Sequence, residues 1–230
     1  MEKFPNTSSD KPEQDENKNE THYIKEGVDF VFKEYPELAQ IGAKEQYCEY
    51  LDTVFPESKV RDIVYHGTRT KFDYFDLDKA GLSGRNYGKG VYATTELGLA
   101  QKYALDKHVL PIILNIKKPL ITDQAFEDWY QCLPIPYNKK ITDYIEYDAV
   151  LNYQGLDREL LEKINDHFIE YKGPKNEKGF PITYIDRDKN IYQISIQMKE
   201  IVVPDTQQAH ILGTQKDLEK FQEFISKKTK

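Results

Sequence analysis

The 230-residue chain has only two cysteines, Cys48 and Cys132, far apart and without a Cys or His neighbour at metal-ligand spacing. That excludes a disulfide framework and a structural zinc site, and fits a reducing compartment. No apolar run approaches the ~20 residues that span a bilayer. The N-terminus lacks a basic stretch followed by an apolar one, so no signal peptide is expected. The expectation is a soluble, cytoplasmic protein with no membrane partner, although signal-independent export or injection would leave the same sequence. Positive charge is in deficit: 32 Lys and Arg against 39 Asp and Glu give a net charge of −7. This argues against adhesion to nucleic acid through the whole surface. Lys139, Lys140, Lys172, Lys175 and Lys178 are the residues that would have to line a local basic groove.

Tyrosine is in excess, with 17 copies. Residues 1–21 are polar and nearly free of aliphatics, too poor in apolar surface to offset ordering entropy, which predicts a disordered tail. Residues 22–57 carry helical spacing. Val28, Val31, Leu38 and Ile41 come first; Tyr47, Leu51 and Val54 follow on a second helix that starts near Ala43 and is stopped by Pro56. Residues 58–228 form the expected catalytic domain. Strands are predicted at Arg61–His66, Val91–Ala93, Val109–Ile116, Ile191–Met198, Glu200–Val203 and Ala209–Leu212. A helix is expected to run from a Thr94 or Thr95 cap through Ala104, an amphipathic one over Asp157–Tyr171, and a closing one over Gln215–Ser226. A loop fills 69–90 and a turn-rich linker 173–179. The fold class is α+β, with antiparallel strands supplying a site and helices covering it.

Three short stretches carry the chemistry: YHGT at Tyr65–Thr68, GKGVY at Gly88–Tyr92 with Tyr103 eleven residues beyond Tyr92, and Glu200 opening EIVVPD. Each is weak alone, because a histidine before a turn or a strand glutamate is commonly structural. In this order they resemble the histidine–tyrosine–glutamate class of ADP-ribosyltransferases, the diphtheria-toxin and poly(ADP-ribose) polymerase lineage. The resemblance covers about residues 60–226. It is nearest to small domains of phages, mobile elements and bacterial toxins.

That resemblance implies a split antiparallel β-sheet core with flanking helices and a glycosyl transfer from NAD as substrate. No metal is expected, since the nicotinamide leaving group is already cationic. It implies catalytic roles for His66, Tyr92 and Glu200, and NAD contacts by Gly67, Thr68, Arg85, Tyr87, Gly90 and Tyr103. His66 would bond the adenosine ribose and Gly67 the nicotinamide amide. Tyr92 and Tyr103 would sandwich the ring, and Glu200 would hold the nicotinamide-ribose 2′-hydroxyl. Residues 70–87 resemble the loop that covers NAD; within it, Phe72 and Phe75 read as packing residues, and Lys89 beyond it as a solvated charge. Ala100 departs from the polymerases, which place a serine there. The implied partner is a macromolecular acceptor, protein favoured over RNA or DNA, with an antitoxin or immunity protein as a further partner. Mono-transfer is favoured over polymerisation. An NAD glycohydrolase and a silent NAD-binding module are the competing readings.

Overall fold

The computed structural model describes residues 24–79, 89–122, 147–154, 168–171, 180–185 and 191–229. The predicted N-terminal tail, the five candidate lysines, the linker at 173–179, Cys132, Arg85, Tyr87 and Gly88 lie outside them, as do residues 157–167 of the expected amphipathic helix.

Three helices come first: α1 (Val28–Glu34), α2 (Leu38–Ile41) and α3 (Lys44–Val54). Pro36 separates the first two by removing a donor and fixing its own φ. Gln46 Oε1 accepts the Ala43 N–H at 2.8 Å and so closes the start of α3. Tyr47, Cys48, Tyr50 and Leu51 form its buried stripe. Strand β1 (Val64–Thr68) follows, then β2 (Val91–Ala93), α4 (Leu97–Ala104), β3 (His108–Leu114) and β4 (Pro119–Thr122). The remainder is β5 (Ala149–Gln154), β6 (Phe168–Tyr171), β7 (Phe180–Ile185), β8 (Ile191–Val203), β9 (Ala209–Ile211) and α5 (Gln215–Lys228).

Two sheets result. One has the order β1–β3–β9; the other has the path β4–β5–β8–β7–β6, with β2 also on β8. Among the described residues, all pairings are antiparallel except β4 with β5. One hydrophobic cluster lies between the sheets and includes Val64, Leu110, Ile112, Ala93, Leu151, Ile201 and Val203. A second lies on the other face of the small sheet, where Tyr65, Ile113 and Ala100 meet Val31, Leu38, Tyr47, Leu51 and Phe221. Helices α1–α3 and α5 therefore share a core with the strand that carries His66. Full burial of each large side chain favours this docking by about 1.5–3 kcal/mol.

Several elements differ from expectation. The first strand starts at Val64, not Arg61. Glu96, not a threonine, is the N-cap of α4, and Thr94 Oγ1 instead accepts the Glu96 N–H at 3.1 Å. Phe168–Tyr171 ends the expected amphipathic helix as a strand on β7, where Phe168, Glu170 and Tyr171 find ladder partners. The two strands expected at 191–198 and 200–203 are one thirteen-residue strand. It stays continuous because β7 pairs with its first half and β5 with its second.

A buried carboxylate joins the two ends of the described chain. Asp217 is fully buried in the first turn of α5. It accepts from Tyr47 Oη at 2.5 Å, Tyr50 Oη at 3.0 Å, His210 Nε2 at 2.7 Å and the Gly213 N–H at 2.8 Å. Burial, reinforced by the Asp217 charge, pushes both tyrosine hydroxyls well above their ordinary range. Asp217→Asn puts an amide donor where a donor already points. It is expected to cost about 2 kcal/mol, read as a lower urea midpoint at unchanged m-value.

Candidate active site

The site begins with the register of β1. Tyr65 of β1 stands opposite Pro111 of β3 in a pair that exchanges no hydrogen bond, since the Pro111 carbonyl accepts the Leu212 N–H at 3.0 Å on its other side. Tyr65 sends its backbone groups the other way: its N–H donates to Thr94 O at 2.8 Å, and its carbonyl accepts the Thr94 N–H at 2.9 Å. This single bridge joins β1 to the end of β2. Hydrogen-bonding direction alternates along an antiparallel strand. Gly67, two residues on, therefore aims its N–H and C=O toward the same edge, past the point where β2 leaves. The two strands part there.

His66 spans the opening. Its Nδ1 lies 2.7 Å from the Tyr92 carbonyl oxygen. A carbonyl only accepts, so Nδ1 carries the proton. Burial lowers the pKa from its ordinary 6.5, with the Tyr92 hydrogen bond opposing. The ring is neutral at physiological pH, and Nε2 is an acceptor. Phe75 and Phe72 pack against the imidazole at centroid distances of 5.1 and 5.9 Å.

Register places the other residues. Tyr92 is paired with Val202, and Ala93 with Ile201. One step beyond this ladder, Thr94 comes beside Glu200, which is itself paired with Asn152 of β5. Paired residues share a face, and so do residues two apart. Tyr92, Thr94 and Glu200 therefore share the face of Tyr65 and α4. His66 faces the inter-sheet core with Val64. A ligand that touches both His66 and Glu200 must straddle the split between β1 and β2.

Helix α4 covers β1 closely. A Cβ on Gly67 would overlap the Ala100 carbonyl oxygen and stand 2.9 Å from the Ala104 nitrogen. Ala100 and Ala104 are small and fully buried for the same reason. Tyr103, between them in sequence, is 59% exposed, a large aromatic ring held at the surface of the helix that lies over Gly67. Gly90 serves β8: a Cβ there would come within 2.8 Å of the Val203 carbonyl oxygen. Thr68 turns its hydroxyl onto its own loop, donating to Thr70 O at 3.1 Å.

Two further features hold the site's strands in place. Lys89, expected to be solvated, pairs with Asp78 at 2.5 Å and ties the loop after β1 to the start of β2. Asp205 and Gln208 form a cap after β8: Asp205 Oδ1 accepts the Gln207 N–H at 2.9 Å. Gln208 Nε2 donates to Asn115 O and Asp148 O at 3.0 and 2.9 Å. This pins the end of the strand that carries Glu200 to β3 and to the lead-in of β5. A separate groove of about 240 Å³ lies on the helix side of the small sheet, lined by Phe30, Tyr35, Lys71, Gln101, Asp106 and His108 among others. Among the described residues, no helix is long and apolar enough to cross a membrane.

Comparison with protein-family models matches residues 61–211 to ADP-ribosyltransferases in polyvalent proteins. The match covers well over half of the chain and runs from the approach to β1 through β9. A search of curated proteins found no match. The family transfers ADP-ribose from NAD as substrate, and the α+β architecture with two mostly antiparallel sheets agrees with it. The chain thus belongs to the ADP-ribosyltransferases found in polyvalent proteins.

Proposed function

We propose that the protein is a mono-ADP-ribosyltransferase that binds NAD where β1 and β2 part and transfers ADP-ribose to a protein acceptor. The observation that carries this reading is the edge of Gly67. One residue offers an N–H and a C=O side by side, the complement of a primary carboxamide, and nicotinamide ends in that group. His66 Nε2, as an acceptor, suits a ribose hydroxyl. Tyr92 and Tyr103 supply ring faces for the nicotinamide, and Glu200 supplies negative charge. Arg85 and Tyr87 remain proposals from the motif alone.

The reaction follows from that placement. The bond between ribose C1′ and the nicotinamide nitrogen breaks, and its electron pair leaves with the ring as neutral nicotinamide. Positive charge grows on C1′ and the ring oxygen, as in glycoside hydrolysis. Glu200 accepts a hydrogen bond from the 2′-hydroxyl and stabilises the cation through space. The acceptor heteroatom bonds C1′ and gives up its proton to Glu200 or water. The net charge of −7 disfavours a nucleic-acid acceptor, which leaves protein as the better-supported class.

Labelled NAD incubated with the protein and a cell lysate tests this. Protease-sensitive label supports the reading. Nuclease-sensitive label moves the acceptor to nucleic acid, free ADP-ribose alone indicates hydrolysis, and intact NAD indicates a silent module.

Tyr103→Ala removes one face of the proposed sandwich. Ring stacking of this kind contributes on the order of 1–3 kcal/mol, so the KM for NAD should rise about tenfold with kcat little changed. An unchanged NAD titration would remove Tyr103 from the pocket.

A further inference from the structure

His66, Phe72 and Phe75 form a closed trio in which each ring touches the other two. Phe75 meets the imidazole nearly edge to face at 84°, and Phe72 meets Phe75 at 5.2 Å and 71°. Both phenylalanines lie on the loop after β1 and pack on the margin of the inter-sheet core. The hydrogen bond from Nδ1 to Tyr92 O fixes one point of the imidazole but leaves the ring free to swing about that line. An edge-to-face neighbour removes the swing.

The loop is itself held. Asp76 Oδ1 accepts the Asp78 N–H at 3.0 Å, and its carbonyl accepts the Lys79 N–H at 3.1 Å. Lys89 then ties Asp78 to the turn that starts β2. The two elements that touch the His66 ring, the loop and β2, are thereby linked to each other outside it.

We propose that Phe75, backed by Phe72, is a positioning residue for NAD: it holds the plane of the His66 ring so that Nε2 meets a ribose hydroxyl of the substrate. This rests on the reading of His66 as a ribose ligand. Apart from that role, the two phenylalanines would be exchangeable for any apolar side chain of similar volume.

The test uses the full chain. Steady-state KM and kcat for NAD are measured for Phe75→Leu, Phe75→Tyr, Phe72→Leu, His66→Ala and the double variant His66→Ala/Phe75→Leu. Nitrogen-15 NMR of the His66 ring reads its tautomer and hydrogen bonding in parallel. Phe75→Leu keeps apolar volume and should raise the KM for NAD about three- to tenfold, with kcat held within about twofold. Its His66 nitrogen signals should shift. Phe75→Tyr should restore both readouts, and Phe72→Leu should give a smaller rise, which covers the case of a poorly folded Phe75→Leu. The double variant should be no worse than His66→Ala alone.

Wild-type KM and unchanged nitrogen signals in Phe75→Leu and Phe72→Leu would overturn the proposal, as would losses that multiply in the double variant. In those cases His66→Ala still raises KM. A wild-type KM in His66→Ala itself would instead remove the ribose reading, and the positioning role with it.

Discussion

Glu200→Gln is expected to lower ADP-ribose transfer by roughly 100- to 1000-fold while leaving NAD affinity within about threefold. The substitution is nearly isosteric and keeps an acceptor for the 2′-hydroxyl. What it removes is the negative charge beside a cation that exists only in the transition state. The strand is held on both sides independently of the side chain: β5 pairs with Glu200 through Asn152, and β2 pairs with the next three residues. The cap formed by Asp205 and Gln208 fixes the segment that follows. A glutamine at this position should therefore not move the backbone. Transfer rate and NAD binding, measured separately, give the split; a wild-type transfer rate would show that Glu200 is not the charged group of the reaction.

Gly67→Ala is expected to be strongly destabilising. The added carbon would overlap the Ala100 carbonyl and crowd the Ala104 nitrogen, both backbone atoms of a helix that cannot yield as a side chain does. Relief requires α4 to lift from β1, which uncovers Ala100, Ala104 and the Tyr65 side of the helical core. The expected cost is about 3 kcal/mol or more, read by thermal or urea unfolding. Because α4 carries Tyr103, the folded fraction should also bind NAD poorly. Wild-type stability with wild-type NAD binding would mean that α4 does not rest on Gly67 as described.

The parts legible in the sequence are those set by local pattern. YHGT followed a β-rich run, GKGVY preceded a helix with small residues and a tyrosine at fixed offset, and Glu200 opened another β-rich run. Strands β2 and β3 and the closing helix emerged for the same reason, since alternation or helical spacing over a short window decides them. Strand β7, FPITYI, contains Pro181, a residue that weakens the strand signal of such a run, and its pairing with β8 makes it a strand. The Asp157–Tyr171 pattern fits an amphipathic helix, yet its last four residues answer to β7 rather than to their own periodicity. Asp217 and Lys89 carry no local signal of their contacts, and Phe75 reads in the sequence only as a packing residue, without its partner. Their partners are Tyr47 and Tyr50, Asp78, and His66, brought to them by the fold. A buried aspartate under two tyrosines is invisible until α3 and α5 are known to touch.

The substrate's carboxamide is proposed to sit on the edge of Gly67, beyond the single Tyr65–Thr94 bridge, where β1 and β2 part. A crystal structure of the Glu200→Gln protein soaked with NAD tests it directly. The carboxamide is expected to bond both the N–H and the C=O of Gly67, with a ribose hydroxyl on His66 Nε2. NAD found instead in the groove between Tyr35, Gln101 and His108, with the Gly67 edge untouched, would contradict it.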